Sequence, residues 1–201
     1  HNPTHNDHEM KNDDITQVQT AILKQLKKDF PTSKDWPTFD GAGEYNHEEF
    51  ITWVDRIKNT MHMPDELIVA KLTIVFEKVA RTWLLETMED EGEKTWEEWK
   101  TAIRARFGTD IWRDKMEQAF NKNRYNPIYH TDVVKWATDQ KQRIKAFAPE
   151  SSKRKIIDRM LWKINGDIRN NVLSRLSDSD SWGTFLVILE DICKHTSLGK
   201  K

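Results

Sequence analysis

The sequence predicts an all-α fold built as two small helical domains joined by a short hinge. Three observations predict it. Apolar residues recur at spacings of three and four along nearly the whole chain, the period of a helix that buries one face. No stretch of useful length alternates with the period of two that a half-buried strand requires. Finally, only 37% of the 201 residues are apolar, 32% are charged, and the mean hydropathy is −0.80. That composition is thin for one large core and suits small helical units with much wet surface.

The elements follow in order. Ile15, Val18, Ile22 and Leu26 mark a first helix, and Phe30-Pro31 stops it, because the residue before a proline is pushed out of the helical region. Residues 1–35 are therefore a tail and a helix. The stretch Trp36-Pro37-Thr38-Phe39-Asp40-Gly41-Ala42-Gly43 is too rich in Pro and Gly for a helix and reads as an extended piece plus a turn. Phe50, Trp53, Val54, Ile57 and Met61 form the stripe of the second helix. Pro64 at a first-turn position, followed by Asp65 and Glu66, opens the third, since proline and acidic groups both suit a helix start. Its stripe runs through Ile68, Leu72, Val75, Phe76, Val79, Ala80, Trp83 and Leu84, as one helix or as two with a break, and an acidic loop at 86–93 ends it. Thr95-Trp96-Glu97-Glu98 is a capping box that starts a short helix carrying Trp96, Trp99, Ile103 and Phe107.

Gly108, Thr109 and Asp110 read as the hinge: glycine ends one helix, and Thr or Asp caps the next. The following helix holds Trp112, Met116, Ala119 and Phe120. Thr131 and Asp132 cap a long one with Val133, Ala137, Gln140, Ile144 and Phe147. Ser151 or Ser152 caps another with Ile156, Ile157, Met160, Leu161 and Ile164. Asn165-Gly166 is a turn before Ile168, Val172, Leu173 and Leu176. A polar loop at 177–181 leads to a last helix with Trp182, Phe185, Leu186, Leu189, Ile192 and Cys193.

Charge and composition exclude several classes. The formal net charge of −1 conceals a division at the hinge. Residues 1–107 hold 14 Lys+Arg and 21 Asp+Glu, a net of −7, whereas residues 108–201 hold 18 and 12, a net of +6. Such asymmetry between halves signals a partner. No apolar run approaches the length of a membrane span. The start at His1 has neither an apolar signal core nor a Met, and reads as an excised or processed fragment. The single Cys193 excludes an internal disulfide and a multi-Cys zinc site, and fits a reducing, intracellular compartment.

Catalytic candidates are poor, and the chain reads as a non-enzyme. Cys193 and His195 stand two residues apart, a spacing that points them to different helix faces. His1, His5, His8 and Glu9 read as a loose end rather than a metal site. Asp178-Ser179-Asp180-Ser181-Trp182-Gly183 opens like a calcium loop but has Trp182 at the fifth position and Leu189 at the twelfth, where calcium needs oxygen ligands. It reads as a helix-capping loop. Gly41-Ala42-Gly43 lacks the third glycine, the lysine and the strand–helix setting of a phosphate loop. No cofactor or metal is expected.

Nine Trp are several times the usual share, and most lie on the core stripes. Their order is informative. Pro37-Thr38-Phe39-Asp40-Gly41 precedes Phe50-Ile51-Thr52-Trp53. Ala80-Arg81-Thr82-Trp83 follows, and then Thr95-Trp96-Glu97-Glu98-Trp99 with Phe107 closing the helix. Beyond the hinge come Met116-Glu117-Gln118-Ala119-Phe120 and Val133-Val134-Lys135-Trp136. In this order the chain resembles the Gag capsid region of gypsy-type (Metaviridae) long-terminal-repeat retrotransposons, over roughly residues 36–195. A host-adopted Gag-like capsid related to the neuronal Arc protein would look much the same. Trp136 stands where the family usually has Tyr, and the usual glutamine stretch is only approximate at Gln118. The chain shows no zinc knuckle and no Asp-(Ser/Thr)-Gly protease motif, and so looks like the capsid part alone.

The resemblance implies retroviral-capsid-like domains: an N-terminal one at 36–107, the hinge at 108–110, a C-terminal one at 111–195 and a tail at 196–201. It implies a family-signature core of Phe39, Gly41, Phe50, Trp53, Trp83, Trp96, Trp99, Phe107 and Trp136. The implied function is a structural protein that self-assembles into cytoplasmic virus-like particles enclosing retrotransposon RNA. The alternatives are a domesticated Gag-like interaction or RNA-transfer module, and a helical nucleic-acid-binding module. The implied partner is the chain itself, through ring and two-fold contacts, with weak, non-specific RNA binding and neither a membrane nor a small-molecule substrate. Candidate interface residues are Trp162, Ile15, Val18 and Ile22. Candidate nucleic-acid-facing residues are Lys153, Arg154, Lys155, Arg159, Lys200 and Lys201.

Overall fold

A computed structural model of the chain describes residues 7–198. Among the described residues there are ten helices, and the fold is all-α as expected. They are α1 (Asp7–Asp29), α2 (His47–Met61), α3 (Asp65–Val75), α4 (Lys78–Glu91), α5 (Trp96–Phe107), α6 (Asp110–Lys122), α7 (Val133–Phe147), α8 (Lys153–Leu161), α9 (Gly166–Arg175) and α10 (Trp182–Leu198). The chain divides into two compact units, His1–Ile103 and Arg104–Lys201. This boundary lies in the last turns of α5, ahead of the expected hinge. Of the hinge residues, Gly108 ends α5 through an N–H donated to the Arg104 carbonyl, Thr109 caps α6, and Asp110 is already helical.

In the first unit, Asn46 caps α2 by accepting from the Glu49 N–H, and His62 ends it in the left-handed region. The face that α2 buries is rotated from the expected stripe. Phe50, Ile51 and Val54 are buried, while Trp53, Ile57 and Met61 are half-buried. Trp53 lies on the flank, edge-on to Trp36 at 5.1 Å. Pro64 stands just outside α3, as its cap, rather than in the first turn.

The apolar run 68–84 is two helices. Between α3 and α4 the chain is extended at Phe76 and Glu77, where the segment after Pro37 pairs with it. The Phe39 N–H donates to Val75 (3.1 Å), and the Glu77 N–H donates to the Phe39 carbonyl (2.9 Å). These two bonds satisfy backbone groups that a continuous helix would have satisfied internally. Beside the pair, Gly41 and Gly43 hold φ of 70° and 62°, a region that costs side-chain-bearing residues energy. Helix α4 runs on to Glu91 and is stopped by Gly92 at φ 77°, so the acidic residues 86–91 belong to a helix rather than a loop. Its predicted core residue Val79 is exposed.

In the second unit, α6 packs on α7, α7 on α8 and α10, and α9 on α10. Each helix start is closed by a local side chain. Thr109 accepts from Trp112, Asp132 from Lys135, Ser152 from Lys155, Asn165 from Asp167 and Ser181 from Thr184. The core gathers Phe120, Trp136, Ile144, Ile157, Leu161, Phe185 and Leu189, with Tyr125 and Trp182 against it. Leu173, expected inside, lies at the surface because the buried edge of α9 is Ile168 and Val172.

Candidate interaction surfaces

The signature aromatics are mostly core. Phe39 meets Phe50 (5.9 Å), Phe76 (5.2 Å) and Tyr45 (5.8 Å) between ring centres, and Phe50 meets Phe76 at 5.4 Å. Trp96, Trp99 and Phe107 are fully enclosed, and Trp136 is buried. Trp83 and Trp53 are half-buried, so they edge the core, Trp83 standing against Trp99 at 6.0 Å. Gly41 is half-exposed, and its role is conformational.

Beside this core runs a polar belt that joins α2, α3 and α5. The Trp96 indole donates to Asp55 (2.7 Å), and the Trp96 backbone N–H donates to Asp65 (3.2 Å). Lys58 pairs with Asp65, and Lys100 reaches Asp55 (3.1 Å) and Glu97 (2.7 Å). Lys100 is only 9% exposed. Burial opposes its charge, but the bonds to Glu97 and Asp55 outweigh that and hold its pKa above the ordinary lysine value. The Lys58 ammonium, bonded to Asp65, holds that carboxyl below its ordinary value, with help from the Trp96 N–H and against a burial penalty. The belt consists of satisfied structural charges.

Of the expected interface residues, Ile15, Val18 and Ile22 lie in one row on α1, each more than half exposed. The side chain of Leu26 lies outside the described residues, as do His1, His5, His8 and Glu9. Trp162, just past α8, is 66% exposed, and the Arg169 guanidinium stacks on its ring at 4.1 Å. Trp162 is therefore a surface residue, with one face already covered from within its own unit.

The expected basic cluster is less uniform than its sequence suggests. Lys153, Lys155 and Arg159 are exposed, with Arg159 over the Phe147 ring at 5.0 Å. Arg154 bonds Asp158 and Asp178, each at 3.0 Å, so its charge is answered locally. Lys200 and Lys201 lie outside the described residues.

Sequence reasoning passed over the loop between α6 and α7. Ile128 and Tyr129 are each 80% exposed at its tip. The loop is held from below: Tyr125 donates its N–H to Lys163 (2.8 Å) and stacks on His130, and the Asn126 N–H donates to the His130 ring (2.9 Å). The signal was two apolar residues after a proline, off every helical stripe. Also unforeseen is Lys141, whose ammonium lies 4.3 Å from the Trp182 ring centre. Burial, then the charge of Lys145, lowers its pKa.

Cys193 is buried, and burial pushes its thiol pKa up even though the Tyr125 hydroxyl bonds it. The Tyr125 hydroxyl is itself pushed up to about 12, by burial and then by Cys193. A raised thiol pKa disfavours the thiolate a nucleophile needs. His195 bonds the Asp191 carbonyl. The 177–181 loop caps α10, as expected, with the Ser177 N–H on Asp180 (2.8 Å). Among the described residues no three His, Cys, Asp or Glu side chains group to hold a metal, and no helix is long and apolar enough to cross a membrane.

No family model, curated protein or solved structure matches the chain.

Proposed function

We propose that this chain is a Gag capsid protein of the gypsy-type retrotransposon class, a structural protein that assembles with copies of itself into cytoplasmic virus-like particles around RNA. The observation that carries the reading is the aromatic order. The motifs that make the resemblance stand in sequence, and Phe39, Phe50, Trp96, Trp99 and Phe107 are all core residues. Exposed apolar residues in both units, among them Val18, Ile128, Tyr129 and Trp162, supply surface for repeated weak contacts. The charge division supports an RNA-facing second unit. With Arg104 and Arg106 counted there, the units carry −9 and +8.

The test is electron microscopy and size-exclusion chromatography of the chain across protein and salt concentration. Closed shells or large regular oligomers are expected as concentration and salt rise. A strictly monomeric chain under every crowded and high-salt condition overturns the proposal.

A further inference from the structure

We infer that Trp162 is a stacking platform for a base of single-stranded RNA, standing at the end of a basic row that takes the strand's phosphates. The inference rests on the reading of the second unit as RNA-facing and names the side chains that receive the strand. Trp162 continues the turn of α8 past Leu161, with φ −69° and ψ −12°. Lys155, Arg159 and Trp162 are therefore spaced four and three apart on one helix face, and all three are exposed. The row is about 10 Å long at ~1.5 Å per residue.

The indole is held in place from within its own unit. Arg169, from α9, sets its guanidinium 4.1 Å from the centre of the Trp162 ring. The residue is still 66% exposed, so the guanidinium covers one face and leaves the other for a second flat partner. A base stacks on such a face whatever its identity, since every base has one. Arg159 is fixed in turn over the Phe147 ring at 5.0 Å, which places a cation one turn from the indole.

Charge selects the occupant. Arg154, on the same helix, is answered by Asp158 and Asp178. Lys155, Arg159 and Arg169 have no ion pair with any described residue. A two-fold contact between copies centred on Trp162 would set these cations against their own counterparts, a like-charge arrangement that costs affinity. A phosphate chain answers all three while its base fills the open face of the indole. Contacts between copies are thereby left to other exposed apolar residues, among them Val18, Ile128 and Tyr129.

Fluorescence anisotropy of the full chain at low salt tests the inference, with two labelled probes of equal length: an oligouridylate and the same ribose–phosphate chain without bases. The wild-type chain is expected to bind the oligouridylate at least about fivefold more tightly than the abasic chain. Trp162→Ala, at an exposed position, is expected to lose most of that preference with an unchanged circular dichroism spectrum and an unchanged salt slope. Trp162→Phe should keep most of the preference, and Trp162→Leu should lose it as the alanine variant does, because stacking needs a flat ring. Arg159→Glu should weaken both probes alike and lower the salt slope by about 1. Equal binding of the two probes by the wild-type chain overturns the platform, as does a preference that Trp162→Ala leaves intact. A leucine variant that binds like the phenylalanine one also overturns it, since the contact is then merely apolar. Trp162→Ala that spares RNA binding but weakens self-association in sedimentation overturns it too and assigns the residue to a contact between copies. No binding to either probe overturns the platform and the RNA-facing reading together. Particle formation in the microscope judges the capsid reading separately from all of these.

Discussion

Asp55 shows how one side chain ties two helices, α2 and α5, together. It accepts from the buried Trp96 indole and faces the Lys100 ammonium, so its loss strands the indole N–H and leaves Lys100 with Glu97 as its remaining carboxylate partner in the belt. Asp55→Ala is expected to lower the unfolding free energy by about 1–3 kcal/mol, measured by urea denaturation. The pH dependence of the belt has two limbs. Asp65 lies below its ordinary 3.8, so its contribution is full above that value and is lost as pH falls through the lowered one. Lys100 lies above its ordinary 10.5, so its contribution is full below that value and is lost as pH rises through the raised one. Melting temperature should therefore be insensitive to these two groups near neutrality and fall at both extremes. Asp65→Asn should flatten the acid limb and leave the alkaline one. The sequence announced Trp96 through its capping box, and the box is present in both directions, with Thr95 and Glu98 exchanging bonds at 3.2 Å. It gave no hint of Asp55 as partner, because that residue is 41 positions away.

The element most instructive in its departure from periodicity is the α3–α4 break. A helical stripe runs without Pro or Gly from Ile68 to Leu84, so local preference favours one long helix. What competes is the Phe39–Phe76 bridge and the cluster of Phe39, Phe50 and Phe76 that it assembles. Phe76 is fully buried and extended, and the turn into α4 holds Lys78 at φ 50°, a strained value for a residue other than glycine. Phe76→Ala is expected to destabilise by about 3–5 kcal/mol, read by denaturant midpoint, as large aromatic truncations in packed cores do. By contrast, the starts of α6 to α10 were legible almost to the residue, since Thr109, Asp132, Ser152, Asn165 and Ser181 each bond an N–H two or three residues on.

At the scale of the whole molecule, the acidic first unit and basic second unit lead to a measurable expectation for RNA. Binding of the chain to a single-stranded RNA should be weak, indifferent to sequence, and should fall linearly with log salt. Lys153→Glu with Lys155→Glu should weaken it equally for all sequences and reduce the salt slope by about 1–2, as measured by fluorescence anisotropy. Arg154→Ala should change it less, because that guanidinium already answers Asp158 and Asp178. A steep sequence preference that survives high salt would instead favour a dedicated nucleic-acid-binding module.

From its residues alone, the chain specifies helices, most of their ends, the aromatic residues that form the cores and the division of charge. Each of these depends on groups within a turn or two of one another, where period, caps and glycines act directly. Folding settles which residue of a stripe is buried and which is edge, as with Ile51 inside and Trp53 on the flank of α2. It also settles where a helix yields to an extended pair, which acid partners which buried indole, and that Ile128 and Tyr129 stand out on a braced loop. These outcomes depend on groups brought together from distant parts of the chain, whose contact energy outweighs local preference and leaves no mark in the neighbouring residues.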